Sequence, residues 1–186
     1  MQEENRGKAE VREVERVVLS HLDAAYNLAR WLVRDPQNAE DVVQEACLRA
    51  LKFFSGFRGR DERAWLLRIV RNAAYSFLER NRSADLVEEF DEMVHASAYD
   101  PPRDAEAVLM QTAESRMLQE ALEALPVRFR EAVVLRELEG LSYKQISEVM
   151  EIPIGSVMSA LARGRERLRK EILRARGKEA PRGVRR

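Results

Sequence analysis

Apolar residues along this chain recur at three- and four-residue steps, the spacing that lines one face of an α-helix. Val14, Val17, Val18, Leu22, Ala25, Leu28, Ala29 and Leu32 predict a first helix over about Val11 to Val33, which Asp35-Pro36 ends. Val42, Val43, Ala46, Ala50, Leu51 and Phe54 predict a second over about Ala39 to Phe54. The two glycines in Ser55-Gly56-Phe57-Arg58-Gly59-Arg60 mark a turn. The Asp61 carboxylate is placed to accept from unpaired N-terminal amides and so to cap a third helix, about Glu62 to Asn81. Trp65, Leu66, Ile69, Val70, Ala73, Phe77 and Leu78 face its core. Residues 11–82 thus form one small helical unit.

The periodicity then fades. Residues 83–104 are acidic and carry Pro101-Pro102, which reads as a flexible linker. Extended, such a stretch reaches about 70 Å, enough to set its two ends on distant sites. A second unit, residues 105–176, begins with Leu109, Met110, Ala113, Met117, Leu118, Ala121, Leu122 and Leu125 on one helix, which Pro126 terminates. The next, about Arg128 to Glu139, buries Phe129, Ala132, Val133 and Leu138, and Gly140 supplies a left-handed stop. The pattern is all-α throughout: two small helical domains and a basic tail over 177–186.

Ser142 and Gln145 fit a capping box opening a short helix to Met150. After Glu151-Ile152-Pro153 comes a long helix with Val157, Leu161, Leu168 and Ile172 inward. Two apolar spacings split by a tight turn make a helix-turn-helix, with Ile146, Met150, Ile152 and Val157 as its internal contacts. Ser147 and Glu151 stand where alanine and glycine are usual, which predicts a looser turn. Ser156, Ser159 and Arg163 share a face of the second helix. Hydroxyls there suit phosphates or bases, and an Arg fork suits guanine. Arg165, Arg167 and Arg169 fall to phosphates or solvent.

Composition narrows the function. The 186 residues are 45% hydrophobic and 34% charged, with a net charge of zero that hides an asymmetry. Nine acidic residues and one basic residue lie between Ser83 and Glu114; from Met158 onward there are eleven basic and three acidic ones. A neutral protein with a basic end still attracts phosphate locally. Cys47 is the only cysteine and sits in an apolar pattern, so neither an internal disulfide nor a cysteine zinc cluster is available. His21, expected on a helix surface, and His95, in the linker, have no nucleophile or metal-ligand spacing around them, and there is no glycine-rich phosphate loop. A non-enzyme without cofactor or metal is expected. The polar N-terminus and the lack of a long apolar run imply a cytoplasmic protein without membrane insertion.

Three stretches together resemble the RNA polymerase sigma factors of the extracytoplasmic-function class. They are Asn38-Ala39-Glu40-Asp41-Val42-Val43-Gln44-Glu45-Ala46-Cys47-Leu48-Arg49-Ala50, then Phe57-Arg58-Gly59 with Ala64 to Asn72, and then Leu125 to Arg130 with Gly140 to Val157. The resemblance implies a promoter-specificity subunit. In it, Asp41, Gln44, Glu45 and Arg49 dock on core RNA polymerase. Phe57, Arg58, Arg68, Arg71 and Asn72 engage the opened downstream (minus ten) element. Ser142, Tyr143, Lys144, Ser156, Ser159, Arg163 and Arg167 read the upstream (minus thirty-five) element. It also implies an anti-sigma partner, and a linker threading the RNA exit path. Ser76, the weakly basic Glu79-Arg80-Asn81-Arg82, Met158 and Ala160 depart from the family's usual residues, which blocks transfer of a promoter sequence. The competing readings are a stand-alone helix-turn-helix regulator, which binds duplex DNA tightly as a dimer, and a helical adaptor with no DNA role. The division of labour between the units requires separate cores, with Asn72 and Arg163 outside them.

Overall fold

Asp35-Pro36 both ends one helix and begins the next. In the computed structural model the Asp35 carboxylate accepts from the Asn38 amide (2.7 Å), with Pro36 in the first helical position, where its missing N–H is no loss. The structure describes residues 2–54, 57, 61–88 and 113–179, and side chains over 11–54, 57, 61–81 and 114–177. Its elements are α1 (Gln2–Ser20), α2 (Leu22–Val33), α3 (Pro36–Phe53), α4 (Glu62–Glu88), α5 (Ala113–Glu123), α6 (Val127–Val133), a π-helical turn (Val134–Leu138), α7 (Tyr143–Met150) and α8 (Ile154–Glu179). No strand occurs among the described residues.

The first expected helix is two. The Ser20 hydroxyl donates to the Arg16 carbonyl (2.7 Å) and the His21 amide turns back to Val18 (3.1 Å), bonds that compete with the regular ladder and break it at His21. His21 is half-buried at that break rather than on a helix surface. Residues 83–88, expected in the linker, are the last turns of α4; His95 and the rest of that stretch lie outside the described residues, as do Leu109 and Met110. The helix after Pro126 changes pitch at Val134: the Glu139 amide bonds the Val134 carbonyl five residues back (3.0 Å), and Gly140, at φ 66°, closes it. That wider turn rotates Leu138 out of the core to 51% exposure. Leu51 and Leu118, also expected inward, are exposed.

α1 to α4 pack on one another, as do α5 to α8, so each half has the helix contacts of a unit. The two units do not stand apart, however. α7 lies along α4 and α6 against α2, and one apolar cluster runs from Val14 and Leu28 through Leu66 and Val70 to Leu135, Ile146 and Leu161. Trp31 of the first unit packs against Leu122, Leu125 and Val133 of the second. The expectation of separate cores therefore fails in this arrangement. The physical reason lies in residues whose partners come from the other unit. Arg130, buried at 2%, donates to the carbonyls of Glu123 and Leu125 in its own unit and to Leu32 at the end of α2 (3.4 Å). A cation there faces the negative ends of two helices. Burial, and then nearby Arg34, lower its pKa to about 10.

Candidate nucleic-acid interface

Asp61 accepts from the Ala64 amide (2.9 Å) and so starts α4, the helix on which the downstream-element residues sit. Its second oxygen accepts from Gln145 Nε2 (2.6 Å), the residue that closes the capping box of α7. Phe57 is half-buried and its ring is taken up by an aromatic cluster, 4.9 Å from Trp65 and 6.0 Å from Phe54 between centroids. Trp65 is core. Arg58 lies outside the described residues. Arg68 is half-buried on α4. Arg71 is committed: it donates to Glu131 Oε1 (2.5 Å) and to Asn72 Oδ1 (3.2 Å), and lies over the Tyr75 ring (4.6 Å). Asn72 is half-buried, and its backbone carbonyl accepts from the Ser76 hydroxyl (2.9 Å). So α4 brings Arg68, Arg71 and Asn72 together, but commits the Arg71 guanidinium to Glu131 of the second unit and to the Asn72 side chain.

Glu131 is fully buried, and Tyr75 also donates to it (2.8 Å). Burial pushes the Glu131 carboxyl above the usual carboxylate range, while Arg71 and Tyr75 draw it back. The Tyr75 hydroxyl is pushed up, by burial first and by the Glu131 charge second. A buried acidic residue inside an apolar helical pattern was the signal for this contact in the sequence, but periodicity alone gives it no partner.

On α3, Asp41 and Gln44 are exposed, and Glu45 and Arg49 are half-buried and paired (2.8 Å) one turn apart. Leu48 lies among them at 63% exposure, an apolar side chain on the polar face that the spacing argument did not single out. Cys47, behind that face, is half-buried, and burial raises its thiol pKa.

The helix-turn-helix forms as expected. Ser142 accepts from the Gln145 amide (3.2 Å) while the Gln145 side chain accepts from the Ser142 amide (2.8 Å). Glu151 takes the left-handed conformation (φ 55°), and the Ser147 hydroxyl donates to the Ile152 carbonyl (2.6 Å), so the two unusual residues still close the turn. α8 buries Val157, Ala160, Leu161 and Gly164. A Cβ on Gly164 would lie 2.8 Å from Val133 Cγ2 and 3.2 Å from the Phe129 carbonyl oxygen, so this glycine sets how closely α8 approaches α6. Ala160, one of the positions that depart from the family's usual residues, is a core residue. Met158, at 54% exposure, does face outward.

The outward face of α8 carries Ser159, Arg163 and Arg167, with Ser156 half-buried at its start. The Ser159 hydroxyl donates to the Gly155 carbonyl (3.0 Å), and Arg167 lies over the Phe129 ring (5.1 Å). Arg165 instead pairs with Glu137 (2.6 Å). Ser142 and Lys144 are exposed at the start of α7, and Tyr143 is half-buried under Arg136 (5.1 Å). The arrangement offers one basic, hydroxyl-bearing helix face of a width that suits a major groove.

Comparison with known proteins places these units in a family. A model described as Sigma-70 region 2 matches residues 17–84, and one described as Sigma-70, region 4 matches residues 115–168. The chain is 34% identical over 156 residues to the ECF RNA polymerase sigma factor SigE of Mycolicibacterium smegmatis, covering 82% of this chain but 59% of that protein. It is 33% identical over 154 residues to the ECF RNA polymerase sigma-E factor of Haemophilus influenzae, covering 78% of this chain and 79% of the relative. To the RNA polymerase sigma-H factor of Pseudomonas aeruginosa it is 32% identical over 162 residues, 84% of each. Among solved structures, the sigma factor RpoE of Bartonella quintana, in complex with the anti-sigma factor NepR, superimposes with a TM-score of 0.69 at 26% identity, over 87% of this chain and 97% of that one. With both regions matched in order on the two helical units, the chain belongs to the sigma-70 family of RNA polymerase sigma factors, in its extracytoplasmic-function class.

Proposed function

We propose that this chain is a promoter-specificity subunit: it binds core RNA polymerase, recognises and opens promoter DNA, and so directs transcription initiation. The observation that carries this reading is the order of the two matched regions on two units that bear different faces. α3 presents Asp41, Gln44, Glu45, Leu48 and Arg49, a mixed acidic and apolar surface suited to a protein partner. α8 presents Ser159, Arg163 and Arg167, suited to duplex DNA. Arg68, Arg71 and Asn72 on α4 supply cations and an amide suited to a single strand whose bases have left the stack. Strand opening on this reading draws on binding energy and needs no catalytic group of this chain. No helix among the described residues is long and apolar enough to cross a membrane, and the site of action is where the polymerase works, in the cytoplasm.

An anti-sigma partner belongs to the same proposal. The matched RpoE chain was solved with one, and the superposition spans 97% of it, both units included. A stand-alone helix-turn-helix regulator is not favoured, because a Sigma-70 region 2 model matches the first unit.

Reconstitution with core polymerase on a genomic fragment library tests the proposal. New transcript starts are expected with the chain and none without it. Arg163→Glu should abolish starts that depend on an upstream element, by ten- to a hundredfold for one lost bidentate contact, while core binding persists. A chain that adds no starts, or that binds duplex DNA tightly without polymerase, would reject it.

A further inference from the structure

The first turns of α8 carry an apolar strip that the described residues leave uncovered. Ile154 is 46% exposed, Met158 is 54% exposed and Ala162 is exposed as well. Steps of four residues set all three along one side of the helix. The strip runs beside Ser159 and Arg163, the outward residues suited to duplex DNA, and it ends at Glu166, which pairs with Lys170 (2.7 Å). On a helix that enters a major groove, such side chains have one apolar base group to bury against, the C5 methyl of thymine.

Two neighbours fit the same reading. The Ser159 hydroxyl spends its hydrogen on the Gly155 carbonyl (3.0 Å), so towards a partner it can only accept. In the groove the amino groups of adenine and cytosine donate, whereas guanine presents acceptors alone. Gly155 is exposed one turn before Ser159, and it has no positive φ. A Cβ there would meet nothing within 4 Å. Neither its backbone nor its packing therefore requires a glycine, a residue that weakens a helix relative to alanine. The space it keeps open suits close approach from outside the chain.

We infer that α8 reads adenine–thymine pairs in the upstream element: Ile154, Met158 and Ala162 cover thymine methyls, and Ser159 accepts from the adenine amino group. Cytosine shares the amino donor but lacks the methyl, so the two contacts together separate these pairs from guanine–cytosine ones. This rests on the reading of α8 as the upstream-element helix.

The test uses the full chain with core polymerase on duplex promoters recovered from the fragment library, with deoxyuridine in place of thymine in the upstream element. The swap deletes the methyl and keeps the pairing. Affinity should fall about fourfold for each buried methyl lost. Met158→Ala, an exposed change to a good helix former, should weaken binding to the thymine promoter by a similar factor, and deoxyuridine should then cost it little more. Met158→Leu keeps an apolar side chain and should keep the dependence on the methyl. The parent should prefer adenine about fivefold over purine, which lacks the amino group, and Ser159→Ala should lose that preference. Equal affinity of the parent for thymine and deoxyuridine promoters overturns the methyl contact, as does a methyl effect that Met158→Ala leaves undiminished. A parent indifferent to purine, or an adenine preference that survives Ser159→Ala, overturns the serine contact. Weaker capture of core polymerase by Met158→Ala in the absence of DNA gives the strip to a protein partner instead. All of these outcomes leave promoters occupied and the sigma reading standing. A chain that occupies no promoter together with core polymerase removes that reading, and this inference with it.

Discussion

Glu151 holds left-handed backbone (φ 55°, ψ 42°) in the tight turn between α7 and α8, a conformation that costs a residue with a Cβ roughly 1–2 kcal/mol. It is exposed, so no packing repays that strain. Glu151→Gly should relieve it and, after glycine's own entropic loss, stabilise the chain by about 1 kcal/mol, raising the melting temperature by about 2–4 °C. Differential scanning calorimetry reads this, and a lower midpoint would contradict the strain. At this scale the sequence was a good guide where chemistry is local. Asp61, Ser142 with Gln145, and Gly140 all act as their residue types dictate. It was a poor guide at Ala160 and Arg71, whose neighbours come from distant parts of the chain. Helical spacing places a residue on a face; it does not say whether that face meets a groove, a core or another unit.

At the scale of the helix, the periodic pattern placed helix over most of the described residues but ran α1 and α2 together, and the breaks it missed arise where backbone bonding departs from the regular ladder. The Ser20 back-bond splits the first helix at His21, and the i−5 bond at Glu139 widens the end of the helix after Pro126; neither leaves a mark on hydrophobic spacing. α4 runs to Glu88 although its apolar pattern has faded. α3 is the clearest functional case. Asp41 and Glu45, one turn apart, precede the exposed Leu48 on the face read as polymerase-binding. Replacing both carboxylates with lysine reverses the sign of that face without touching the buried Val42, Val43, Ala46 or Ala50. Capture by core polymerase should weaken at least tenfold at low salt, with the helical circular dichroism signal retained, as long-range steering by an exposed face demands. Unchanged affinity in a pull-down titration would remove α3 from the interface.

For the whole molecule, two units read from the sequence as separate are packed on one merged core. That could not be read from one chain's spacing, because the surface that α4 offers α7 looks, residue by residue, like part of an ordinary amphipathic helix. The same packing ties Arg71 to the buried Glu131 while leaving Ser159, Arg163 and Arg167 outside. Duplex recognition and strand capture are therefore unequally available in the closed chain, and the account needs polymerase to complete the second. Permanganate, which oxidises thymines only where they are unpaired, measures that step directly on a promoter recovered from the fragment library. With chain and core polymerase together, reactive thymines should appear in the downstream element, and with either alone they should not. Reactivity absent from the joint complex, or present with the chain by itself, would contradict the central claim.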